Sequence, residues 1–116
     1  MEKWEMDFNW LKVRHFIKDS LNVEELPGVE TVLFMIGLQD LGIISTNFTK
    51  EQKVEITTLG TCVVLSRYGY FEKRGIDENG WPIWIEKKTF SPANEMEEQK
   101  IIKEAIIKYF EENYDI

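Results

Sequence analysis

One stretch, VETVLFMIGLQDL at 29–41, restricts the fold more than any other. It holds Val32, Leu33, Phe34, Met35, Ile36 and Leu38, and carries no charge between Glu30 and Asp40. A helix that is apolar all round has no face to give to water, so it belongs inside a core. The stretch therefore predicts a central helix over about 28–41, against which other elements pack. Pro27 suits its start, because the N–H that proline lacks would be unpaired there anyway. Gly42 stands where a left-handed residue closes a helix.

Helical spacing also marks the segment before it. Trp10, Val13, Ile17 and Leu21 recur on one face with Phe16 nearby, while Lys12, Arg14, His15, Lys18 and Asp19 fall on the other. With Asp7 as cap, this predicts a first helix over about 7–21. Beyond a short apolar connection at 43–48, Thr49 and Gln52 read as a capping box that starts a third helix near Lys50. Residues 56–66 carry no charge and include the β-branched Thr57, Thr58, Thr61, Val63 and Val64, which favour strands. A strand of that length would be long, however, and apolar and polar residues do not alternate. A buried helix over about 50–68, ended by Gly69, is the better reading.

Residues 70–88, YFEKRGIDENGWPIWIEKK, place Asn79-Gly80 between two extended runs, as a tight hairpin turn requires. A two-residue turn would set Ile76 opposite Ile83, Arg74 opposite Ile85, Lys73 opposite Glu86 and Glu72 opposite Lys87. A four-residue loop at 77–80 is the competing register. Pro82 cannot donate to a ladder on both sides, which puts its strand at an edge. Trp81, Ile83 and Ile85 would share one face and Trp84 the other. Ser91-Pro92 then reads as the opening of a last helix over about 92–113. Its apolar face comprises Ile101, Ile102, Ala105, Ile106, Tyr109 and Phe110, with Ile107 outside it. The expected fold is mainly α: four helices and one β-hairpin, in a single domain over 1–116.

Composition narrows function by exclusion. The net charge is −7, and an acidic shell repels phosphate backbones, which disfavours nucleic acid as a partner. No run approaches the roughly 20 apolar residues of a membrane span. The N-terminus lacks the apolar segment of a secretory signal. Cys62 is the one cysteine, so no internal disulfide can form, which fits a reducing cytoplasm.

Reactive constellations are sparse. His15 is the only histidine, which rules out a multi-histidine metal site and the paired Glu-x-x-His motifs of a di-iron bundle. A Cys62–His15 nucleophile pair would need contact and a partly exposed thiol, whereas Cys62 lies in an uncharged run where cysteine acts as a small hydrophobe. Asp77-Glu78-Asn79-Gly80 has too few ligands for a calcium loop, and no P-loop, GxGxxG or GxSxG occurs. The sequence thus predicts no catalytic residue, metal ligand or cofactor.

The order of elements, two helices, then a helix ending in Gly-Tyr-Phe, then a hairpin, resembles a winged-helix domain, the resemblance covering about residues 28–88. That resemblance implies a reading helix at 56–66 and a wing bearing Lys73, Arg74, Lys87 and Lys88. Against it stands the absence of arginine, lysine or asparagine between Ile56 and Ser66. Aromatic residues give a different expectation. Trp81 and Trp84 with Tyr70 concentrate the side chains that dominate protein interfaces, although the same rings would also serve to cover a helical core. The leading expectation is a small non-catalytic protein-interaction or homodimerising domain with Trp81, Trp84 and Tyr70 at its contact. A nucleic-acid binder comes second, and an enzyme or ligand-binding protein with a pocket between helices third.

Overall fold

The structure, a computed structural model, describes residues 2–42, 47–114 and 116. Along the chain run α1 (Lys3–Leu21), α2 (Val29–Leu41), α3 (Lys50–Ser66), β1 (Phe71–Ile76), β2 (Pro82–Glu86) and α4 (Glu95–Asn113). The fold is mainly helical with one antiparallel hairpin, as the sequence predicts. Of the apolar connection expected over 43–48, residues 43–46 lie outside the described residues. Contacts divide the chain into two units, Met1–Val29 with Pro92–Ile116, and Glu30–Ser91.

In the first unit, α1 packs on α4. The first helix begins at Lys3, a full turn before the Asp7 start predicted from sequence. The carboxylate of Glu5 accepts the N–H of Glu2 at 3.4 Å, and an acid in the first turn also suits the positive end of the helix dipole. At the other end, Asn22 adopts a left-handed φ of 54°, and the Val23 N–H reaches back to the Lys18 carbonyl at 3.2 Å. The buried stripe is Met6, Trp10, Val13 and Ile17; Leu21, expected to continue it, is exposed where the helix ends. Arg14, expected on the polar face, is half-buried and donates to the carbonyls of Pro27 (2.9 Å) and Leu26 (3.3 Å).

The last helix also starts elsewhere than predicted. Asn94 caps it, accepting the Glu97 N–H at 2.9 Å, and Glu97 in return accepts the Ala93 N–H at 3.2 Å. That reciprocal pair outcompetes Ser91-Pro92, which remain outside the helix. Ile107, predicted to stand outside the apolar face, is only 1% exposed. Phe16, Phe110 and Tyr114 gather at one end of this unit, Phe110 stacking on Tyr114 at 5.2 Å between centroids.

The second unit is built on α2. Val32, Leu33, Ile36 and Leu41 are buried, and Phe34, Met35 and Leu38 half-buried, so the helix leaves none of its large apolar side chains exposed, only Glu30, Thr31 and Gln39 being so. It meets α3 at two reciprocal glycines. A Cβ on Gly37 would fall on the Ile56 carbonyl, and one on Gly60 on the Leu33 carbonyl. The capping box forecast for α3 forms: Thr49 accepts from Gln52 N–H at 3.1 Å and Gln52 from Thr49 N–H at 2.9 Å. Residues 56–66 are helical despite their β-branching. Thr57, Thr58 and Thr61 donate their hydroxyls to carbonyls four residues back, a bond that only a helix offers. Gly69, at φ +81°, then ends α3, with the Tyr70 N–H bonding to the Leu65 carbonyl at 3.3 Å.

The hairpin takes neither predicted register. Ile76 pairs with Pro82, Lys73 with Trp84, Glu72 with Ile85 and Phe71 with Glu86, with a bulge at Arg74-Gly75 where Gly75 has φ +125°. The cause lies at Asp77. Its carboxylate accepts the N–H groups of Asn79 (2.8 Å) and Trp81 (2.9 Å), while the Gly80 N–H bonds to the Asp77 carbonyl at 3.1 Å. These bonds make 77–80 a type I turn that ends with Gly80 in the left-handed region (φ +86°). The Asp77 N–H closes the loop on the Trp81 carbonyl at 2.8 Å. Asn79-Gly80 is therefore not the two-residue turn that the dipeptide suggests.

Candidate functional site

Trp81 and Trp84, the leading interface candidates, both pack on the cluster of Leu41, Ile56 and Leu59. They do not split between two faces as the predicted register implies; Ile83 and Ile85 face solvent instead. Each tryptophan is half-buried. The indole N–H of Trp84 donates to Asp40 Oδ2 at 2.9 Å, and Lys73 Nζ, opposite Trp84 in the ladder, donates to Asp40 Oδ1 at 2.8 Å. Asp40 sits in the last turn of α2, where a carboxylate meets the negative end of the helix dipole and needs cationic or N–H partners. The hairpin supplies both, so this clasp fastens the strands to the helix pair. Tyr70, the third candidate, is half-buried with its ring edge-on to Phe90 (5.2 Å) and the Lys88 ammonium 4.5 Å above it.

The same clasp conditions Cys62. Burial, then the negative charge of Asp40, push its thiol up from 9.0 to about 11. At neutral pH it is a protonated, buried thiol and a poor nucleophile. Among the described residues no three His, Cys, Asp or Glu side chains come together as a metal cluster. Nor is any helix among them long and apolar enough to cross a membrane. An open hollow of 430 Å³ on α4 is lined by Asn94, Met96, Glu97, Lys100, Ile101 and Glu104.

The cations of the would-be wing are engaged within the hairpin or beside it. Lys73 is held by Asp40, Arg74 and Lys87 lie 3.7 and 3.4 Å from Glu72, and Lys88 covers Tyr70. The threonine hydroxyls of α3 are likewise spent on its own backbone.

A different surface stands open. Trp4, Phe8 and Leu11 are 69%, 59% and 42% exposed, and follow one another at i, i+4 and i+7 along α1. They form a second apolar stripe on the side of the helix opposite Met6, Trp10, Val13 and Ile17. His15 continues it and is exposed. Lys12 flanks it, with its ammonium 5.7 Å from the Phe8 ring. Sequence reasoning missed this stripe because a helix beginning at Asp7 leaves Trp4 outside it. The signal was there in Glu2 and Glu5, which lengthen the helix, and in two sets of apolar residues with the same spacing. Asp40 was missed too, although a lone acid closing an apolar helix is a sign of a partner elsewhere.

No protein-family model matches this chain, and no curated protein and no solved structure matches it either.

Proposed function

We propose that this chain is a non-catalytic protein-interaction domain whose working surface is the Trp4–Phe8–Leu11 stripe of α1. What supports the reading is that stripe itself: two aromatic rings and a leucine left in water on a helix whose opposite side is already packed. Together they expose on the order of 400 Å² of largely apolar surface, the size of patch that marks a contact site on a soluble protein. Tryptophan and phenylalanine bury much area for few rotors, so three anchors over two turns suffice for a recognisable contact. A reducing compartment such as the cytoplasm suits the unpaired, buried Cys62.

The test is affinity capture from the cells of origin with the native chain and with Trp4→Ala/Phe8→Ala. Both residues are exposed, so the variant keeps its fold, checked by circular dichroism, and loses the partners that the native chain holds. Retention of every partner by the folded variant would contradict the proposal.

A further inference from the structure

We infer that the hairpin is a flap: it lets go of the α2–α3 pair as one piece while those helices stay folded, and Asp40 is its latch. Its hold on the helices is narrow. In β1 only Phe71 is other than exposed, and in β2 only Pro82 and Trp84 are. The packing on Leu41, Ile56 and Leu59 comes from Trp81 and Trp84. A two-stranded hairpin is marginal in water, so this ladder depends on being docked. The polar hold is also gathered at one point. Lys73 of β1 and Trp84 of β2 are cross-strand neighbours, and both donate to the same carboxylate, at 2.8 and 2.9 Å. Losing the grip of Asp40 therefore frees both strands together.

The helices beneath have contacts of their own. At Gly37 and Gly60, α2 and α3 approach so closely that a Cβ would strike the facing carbonyl. Val32, Leu33, Val64 and Leu65 are buried outside the cluster that the tryptophans cover. Opening free energies differ across a fold, and the element with few buried apolar contacts opens first. Here that element is the hairpin. Its roots stay tied: the Tyr70 N–H holds the Leu65 carbonyl at 3.3 Å, just past Gly69 at φ +81°, and the Phe90 ring lies edge-on to Tyr70 at 5.2 Å. Release thus begins beyond Tyr70, ends before Phe90, and uncovers Leu41, Ile56 and Leu59.

Native-state hydrogen exchange of the full chain, followed by NMR at low, rising concentrations of urea, tests this. The amides of the β1–β2 ladder and the indole N–H of Trp84 exchange with one shared free energy and one shallow urea dependence. The α3 amides around Leu65 need more free energy and respond more steeply, because only full unfolding exposes them. Val64→Ala trims contacts that the open form keeps, so it speeds α3 exchange roughly tenfold and leaves the ladder and the indole unchanged. Asp40→Ala removes bonds that only the closed form has, so the ladder and α3 both exchange about tenfold faster. Ladder and α3 amides that share one free energy and one urea slope overturn the inference. So does a Val64→Ala chain in which both exchange faster by the same factor. A fast ladder beside an indole as protected as α3 also overturns it, since the strands then fray without letting go. The first and last of these results are read on the native chain, so the test stands even where Val64→Ala fails to fold.

Discussion

Two regions of this molecule carry paired large aromatics, and they use them in opposite ways. In the hairpin, Trp81 and Trp84 lie over Leu41, Ile56 and Leu59, and the polar edge of Trp84 is answered by Asp40. On α1, Trp4 and Phe8 are largely exposed, and the helix buries a separate stripe behind them. The difference follows from how many faces each element must fill. A two-stranded hairpin is marginal alone and needs its rings to hold it against helices. A long helix needs only one stripe for packing, so a second is surplus to stability. Aromatic density in a sequence is thus no measure of availability.

Substitutions can break that contrast, beginning with the largest effect. Trp84→Ala removes the ring and orphans one side of Asp40, and thermal or denaturant unfolding should show a loss of about 3 kcal/mol. Asp40→Ala keeps the ring but leaves the indole N–H and Lys73 without their acceptor. A loss of about 1–2 kcal/mol is expected, which Asp40→Asn recovers in part because its amide oxygen still accepts.

Smaller again is a pH effect at Cys62, whose thiol ionises from 9.0 when unfolded but at about 11 when folded. The unfolded chain loses this proton first, so the thiol's contribution is constant below about pH 8 and declines as pH rises from 9.0 towards about 11. Melting curves of the native chain and Cys62→Ala across that range should differ by this slope. A difference that does not vary with pH would remove the buried-thiol account. Least of all in stability should be Trp4→Ala and Phe8→Ala, each within about 0.5 kcal/mol of the native chain. A loss as large as that of Trp84→Ala would mean that the stripe is structural and the contrast false.

Much of the architecture was legible in the residues because local and global demands agree there. The apolar run of α2 asks for burial and receives it, and Thr49 with Gln52, Gly42 and Gly69 mark helix ends as their chemistry requires. What was not legible depends on side chains choosing among backbone partners. Asp77 takes the N–H groups of Asn79 and Trp81 and so sets a register that Asn79-Gly80 alone does not imply. Asn94 outcompetes Ser91 for the start of α4, and Glu5 draws the start of α1 back to Lys3. That last shift by one turn concealed the exposed stripe. The Asp40 clasp joins residues 33 and 44 positions apart, a pairing that no local pattern reports.

The contrast between the two aromatic regions is read most directly from the indole N–H signals, by adding a soluble paramagnetic agent to the ¹⁵N-labelled full chain. Strong relaxation of the Trp4 indole, with the Trp84 indole protected by its bond to Asp40, is the outcome this account requires. A protected Trp4 beside a strongly relaxed Trp84 would reverse the assignment of which aromatics hold the protein together and which are offered to a partner.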